Sequence, residues 1–127
     1  MNMATKLVLI VDDEERIREV VRVCLVKLAQ WETLMAASGL EAIALAATAQ
    51  PDAILLDVSM PGMNGLETLQ QLQHNPQTQS IPVIFLTAKV QPSEQLYYQQ
   101  LGVVGLIVKP FDPVQISQQI SKLLGWH

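Results

Sequence analysis

The chain has 127 residues, half of them hydrophobic and 16% charged, with a formal net charge of −4. That length suits one domain able to bury a core without staples; the composition excludes disorder, and scattered rather than clustered Lys and Arg argue against a nucleic-acid surface. One cysteine, Cys24, permits no internal disulfide or zinc-type spacing, and the first apolar run is too short for a signal peptide or a membrane span, so the cytoplasm is the expected compartment.

Leu7 to Val11 is a continuous apolar run, the pattern of a strand covered on both faces, and it ends in Asp12 and Asp13. Either aspartate can cap the next helix, with Glu14 and Glu15 placing negative charge in its first turn. Ile17, Val20, Val21, Cys24, Leu25 and Leu28 then fall on one helical stripe, where Cys24 reads as a small core hydrophobe. Thr33 to Ala37, with Trp31 just before it, is a weaker second strand. Ser38 with Glu41 forms a capping box for a helix through about Thr48, ended by Pro51.

The third strand lies in AILLDVSMPGMNG, Ala53 to Gly65, where an apolar run delivers Asp57 to a turn at Met60-Pro61-Gly62. Asn64 with Glu67 caps the helix carrying Leu66, Leu69 and Leu72, and His74 near its end reads as solvent-exposed. Val83 to Leu86 is a fourth strand ending in Thr87-Ala88-Lys89. A helix follows from Pro92, with Tyr98 and Leu101 inward and Gly102 as its stop. Val103 to Val108 is the fifth strand, ending in Lys109-Pro110. Asp112-Pro113 starts the last helix, with Ile116, Ile120, Leu123 and Leu124.

Strands alternating with helices specify α/β architecture, a parallel sheet with right-handed crossovers and helices on both faces. The expected fold is a doubly wound (βα)5 domain of flavodoxin-like order 2-1-3-4-5, with strands 1 and 3 adjacent at the switch point. In that order Asp12, Asp13 and Asp57 crowd at one sheet edge with Thr87 and Lys109. Carboxylates about 4 Å apart repel by roughly 4 kcal/mol at an effective dielectric of 20, so the site calls for a cation. An all-oxygen donor set suits Mg²⁺ (or Mn²⁺), which bridges carboxylates to phosphate. Asp57 is the central carboxylate and the candidate nucleophile toward phosphorus, while Lys109 and the Thr87 hydroxyl would neutralise the charge that arrives. Each residue also has an ordinary role: Asp12, Asp13 and Asp112 as helix caps, Thr87 as a strand end, Lys109 as a solvated charge. For Asp112 the cap is the favoured reading. For the rest, the conjunction of strand ends with complementary chemistry carries the argument.

VDDEE with Asp12 and Asp13, PDAILLDVSMPGMNG with Asp57, LTA with Thr87 and Ala88, and VKPF with Lys109 together resemble the receiver domains of bacterial two-component response regulators of the CheY type. The resemblance covers nearly the whole chain and implies a single receiver domain over residues 1–127. It implies that Asp57 takes a phosphoryl group from the phosphohistidine of a sensor histidine kinase or phosphotransfer protein. Mg²⁺ would be held by Asp13, Asp57 and the Ser59 backbone carbonyl, with Asp12 partly through water. Thr87, Ala88 and Lys109 would hold the phosphoryl group, and Lys109-Pro110 would be a cis peptide. Ser59 and Lys89 occupy the positions that tune phosphoryl lifetime. The family's aromatic switch position is Leu106, so the readout would run through Leu106 or the loop after the fourth strand. A downstream protein or self-dimer would dock on the face of helix 4, strand 5 and helix 5, with no nucleic acid or membrane involved.

The expected role is a phosphoacceptor switch without other enzymatic activity. Ending just after its last helix, the chain reads as lacking an output domain, unless cut from a longer regulator. The enzyme alternative, an aspartate-nucleophile phosphatase of the haloacid-dehalogenase type, would need a general acid two residues after the nucleophile, where Ser59 stands. A pseudo-receiver that binds without phosphorylation would be expected to lack an acidic or lysine position, and all are present.

Overall fold

A computed structural model describes residues 5–88 and 91–126, so Lys89 lies outside the described residues. Five strands, β1 (Leu7–Val11), β2 (Glu32–Ala36), β3 (Ala53–Asp57), β4 (Val83–Thr87) and β5 (Gly105–Val108), alternate with five helices, α1 (Glu15–Ala29), α2 (Gly39–Ala49), α3 (Gly65–Gln73), α4 (Pro92–Gln100) and α5 (Ile116–Leu124). All pairings are parallel and the order is β2-β1-β3-β4-β5, as the alternation predicts.

Strand alternation divides the apolar residues into two cores. Leu9, Val11, Ile54, Leu56, Val83 and Phe85 face Ala42, Ala46, Leu69, Leu72 and Tyr98 of α2, α3 and α4. Val8, Ile10, Leu55, Ile84, Leu86 and Ile107 face Val21, Leu25, Ile116 and Ile120 of α1 and α5. With both faces covered, β3 and β4 are buried along their whole length, which explains their unbroken hydrophobic runs.

The α1 stripe is narrower than its spacing suggests. Val21 and Leu25 are buried and Ile17 and Cys24 pack beside them, but Val20 and Leu28 are exposed at 37% and 56%. Glu14 occupies the N-cap position rather than the first turn, and Asp12 accepts its N–H at 2.9 Å. β2 starts and stops one residue early. Ala37 donates its N–H to the Glu41 carboxylate at 2.7 Å, so Glu41 reaches one residue beyond Ser38, whose Oγ accepts from Glu41 N–H. β5 begins only at Gly105, although Val103 is buried and the Val104 N–H donates to the Val83 carbonyl at 2.9 Å. Asp112 caps a short 3-10 turn, Pro113–Gln115, that leads into α5, and Leu123 there is partly exposed. His74 is exposed and its Nδ1 lies 2.7 Å from the Gln70 carbonyl.

Candidate functional site

Sheet order and register assemble the site. β1 and β3 run side by side with Val11 opposite Leu56, so Asp12 and Asp57 are the next residues outward on neighbouring strands. Asp57 sits opposite Leu86 and Thr87 opposite Val108, which brings Thr87 and Lys109 to the same edge. The Lys109 N–H donates to the Thr87 carbonyl at 2.8 Å, fixing the start of its side chain just beyond the β4–β5 ladder.

From there the Lys109 Nζ donates to Asp12 Oδ2 and to Asp57 Oδ1, both at 3.1 Å. Asp12 is wholly buried, Asp57 is 3% exposed, and Thr87 is buried with them. Asp13 is exposed, yet one carboxylate oxygen each from Asp12, Asp13 and Asp57 lies within 4.8 Å of the others. The loop after β3 adds the Ser59 N–H, which donates to Asp57 Oδ1 at 3.3 Å. That loop folds back on the strand end, and α3 begins hard against it: the Gly65 N–H donates to the Val58 carbonyl at 2.9 Å, and a Cβ on Gly65 would fall 2.6 Å from Val58 Cα and against the Asp57 carbonyl. Both halves of the Asn64–Glu67 capping box form, at 2.9 and 3.0 Å, and hold this helix start in place.

The family model for the response regulator receiver domain matches residues 8–121. The chain belongs to that receiver family. It is similar to the phosphate regulon transcriptional regulatory protein PhoB of Pseudomonas aeruginosa, at 37% identity over 122 residues, covering 96% of this chain and 53% of that protein. Protein PilH of the same organism is 33% identical over 94 residues, 74% of this chain and 78% of PilH. Among solved structures, the chemotaxis response regulator CheY4 of Vibrio cholerae superposes with a TM-score of 0.87 at 33% identity, over 94% of this chain and 99% of that one. The chain spans about half the length of several curated relatives it matches, 53% of PhoB and 47% of the transcriptional regulatory protein ResD of Bacillus subtilis.

Electrostatics make this receiver edge a loaded site. Burial pushes the Asp57 carboxyl above its usual range and the Asp12 charge adds to that, while Lys109 and the Ser59 N–H pull it back. Burial works against the Lys109 ammonium, but its hydrogen bonds and ion pairs with Asp12 and Asp57 outweigh this and hold it above the usual lysine value. Three carboxylates and one ammonium leave unbalanced negative charge, and the donors are all oxygen, which fits a hard divalent cation such as Mg²⁺. Asp13 makes no side-chain hydrogen bond among the described residues, so its carboxylate could serve such an ion.

The Lys109–Pro110 peptide is cis. Leu106 is half-buried, pairs in register with Phe85, and packs into the core that holds Tyr98, whose ring meets Phe85 edge-on at 5.5 Å. Ala88 is exposed in the loop after β4. A side chain that no motif marks also reaches this site: Arg18 of α1 donates from Nη1 to the Asp12 backbone carbonyl at 2.8 Å. Among the described residues no helix is long and apolar enough to cross a membrane.

Proposed function

We propose that this chain is a phosphoryl-accepting switch: Asp57 takes a phosphoryl group, in a Mg²⁺-dependent reaction, from the phosphohistidine of a sensor histidine kinase or phosphotransfer protein. The observation that carries the reading is a buried strand-end carboxylate whose Oδ1 is already held by Lys109 and Ser59. Both contacts fall on one oxygen and leave Oδ2 to approach phosphorus. As the Oδ2–P bond forms, the P–N bond to the imidazole breaks and its electron pair returns to the ring, giving an acyl phosphate and a histidine. Lys109 would move from its two carboxylates onto the new phosphoryl oxygens, with the Thr87 hydroxyl and the residue 88 amide as further donors. When bound, the divalent cation neutralises charge on the phosphoryl oxygens. Asp13, Asp57 and the Ser59 carbonyl would hold it, with Asp12 behind them.

Movement of Thr87 toward the phosphoryl group would be read through Leu106 and the loop after β4, changing the α4–β5–α5 face, where Leu96, Tyr97, Val104 and Val108 are exposed for a downstream protein or a second copy. A haloacid-dehalogenase-type phosphatase is disfavoured because Ser59 presents a backbone N–H to Asp57 where that chemistry needs an acid. Incubation with Mg²⁺ and acetyl phosphate, followed by intact-mass measurement, tests the assignment. The wild type should gain one phosphoryl group and Asp57→Asn none; equal labelling of the two proteins would sink it.

A further inference from the structure

Asp12 is fastened at every polar atom. Its N–H donates to the Ala36 carbonyl at 3.2 Å, Oδ1 accepts from the Glu14 N–H at 2.9 Å, and Oδ2 accepts from Lys109 at 3.1 Å. The first is sheet, the second the entry to α1, and the third belongs to the site already described. The fourth contact is of another kind. The Asp12 carbonyl lies beyond β1, where the ladder has ended, and it is satisfied by the half-buried Arg18 guanidinium returning from α1 at 2.8 Å.

A peptide unit is planar, so pinning the Asp12 oxygen fixes the plane that it shares with the Asp13 nitrogen and Cα. Asp13 has no side-chain hydrogen bond of its own among the described residues, and its carboxylate nonetheless lies within 4.8 Å of those of Asp12 and Asp57. Its position in the cluster therefore depends on its backbone. We propose that Arg18 is a positioning residue for the divalent-cation site: by holding the Asp12–Asp13 peptide it aims Asp13 at Asp57. This rests on the cation site proposed above. By charge alone, a guanidinium beside a cation site should repel the cation. Removing Arg18 would tighten cation binding if its charge were all that mattered, and weaken it if the residue positions Asp13.

Mn²⁺ titration, followed by the paramagnetic resonance signal of the free ion, reads that sign directly without any activity assay. Wild type, Asp13→Asn, Arg18→Met and Arg18→Lys are compared, each first checked by circular dichroism. Arg18→Met should bind about tenfold more weakly, the low end of what outer partners of metal ligands cost, and Arg18→Lys should recover part of the loss. Binding by Arg18→Met as tight as wild type, or tighter, overturns the proposal. If the methionine variant does not fold, Arg18→Gln is read by the same rule. Failure of the wild type to bind, or indifference to Asp13→Asn, instead refutes the cation site and this role with it.

Discussion

Replacing Lys109 with methionine keeps most of the side chain's apolar stem, one atom shorter, and removes the cation that bridges Asp12 and Asp57. At 3.1 Å each ion pair contributes about 5 kcal/mol of attraction at an effective dielectric of 20. The two carboxylates left behind lie within 4.8 Å and repel by at least about 3.5 kcal/mol on the same scale, with Asp12 wholly buried and Asp57 nearly so. Desolvation of the lysine offsets much of the lost attraction, and breaking such buried pairs typically costs about 3–5 kcal/mol. The expected loss for Lys109→Met is about 3 kcal/mol at about pH 8 without metal. The chain has a partial escape: the Asp57 carboxyl, already above its usual 3.8, rises further and takes up a proton. A carboxyl raised in the folded state stabilises fully below its unfolded value, and that stability is lost as pH rises through the folded value. The deficit should therefore shrink as pH falls from about 8 through that raised value, and excess Mg²⁺ should reduce it at neutral pH. Urea unfolding monitored by circular dichroism across that range, with and without Mg²⁺, measures both effects. A deficit that does not vary with pH would show that Lys109 contributes packing rather than charge, and would refute the reasoning.

Asp57→Asn should stabilise the metal-free protein at neutral pH by about 1 kcal/mol, because it removes a nearly buried charge held beside Asp12; urea unfolding against wild type checks it, and the gain should vanish at low pH, where Asp57 is protonated in both folded and unfolded states. Gly65→Ala drives a methyl into the Asp57 carbonyl and Val58 Cα at the start of α3, so a loss of about 2–3 kcal/mol is expected. Because the strand end itself must shift, the same variant should bind Mn²⁺ less tightly, a result that Asn64→Ala, a cap loss on the same turn, should not reproduce.

The sheet was legible because its determinants are residue types in series. Unbroken apolar runs ending in Asp12, Asp57, Thr87 and Lys109 mark buried parallel strands, and topology brings those ends to one edge, so the residues that meet there could be named before their distances were known. Boundaries were less legible where tertiary contacts overrode local pattern. Val103 extends the apolar run and is buried, yet ladder pairing starts at Gly105, and Val20 and Leu28 complete a helical stripe whose flanks stay exposed.

Arg18 was invisible for a different reason. A basic residue in the second turn of an amphipathic helix reads as a solvated charge, and its partner is a backbone carbonyl, a group that every residue carries and no sequence pattern marks. The same holds for Gly65, whose value is the room it leaves for the Asp57 and Val58 backbone. Side-chain chemistry at the receiver edge is thus written in residue identity, whereas the backbone geometry that aims it is held by residues outside the motif. Receiver domains sharing the acidic pair, the aspartate, the threonine and the lysine would therefore differ in cation affinity through such holding contacts, and for this chain the Arg18 substitutions are where that difference should be measured first.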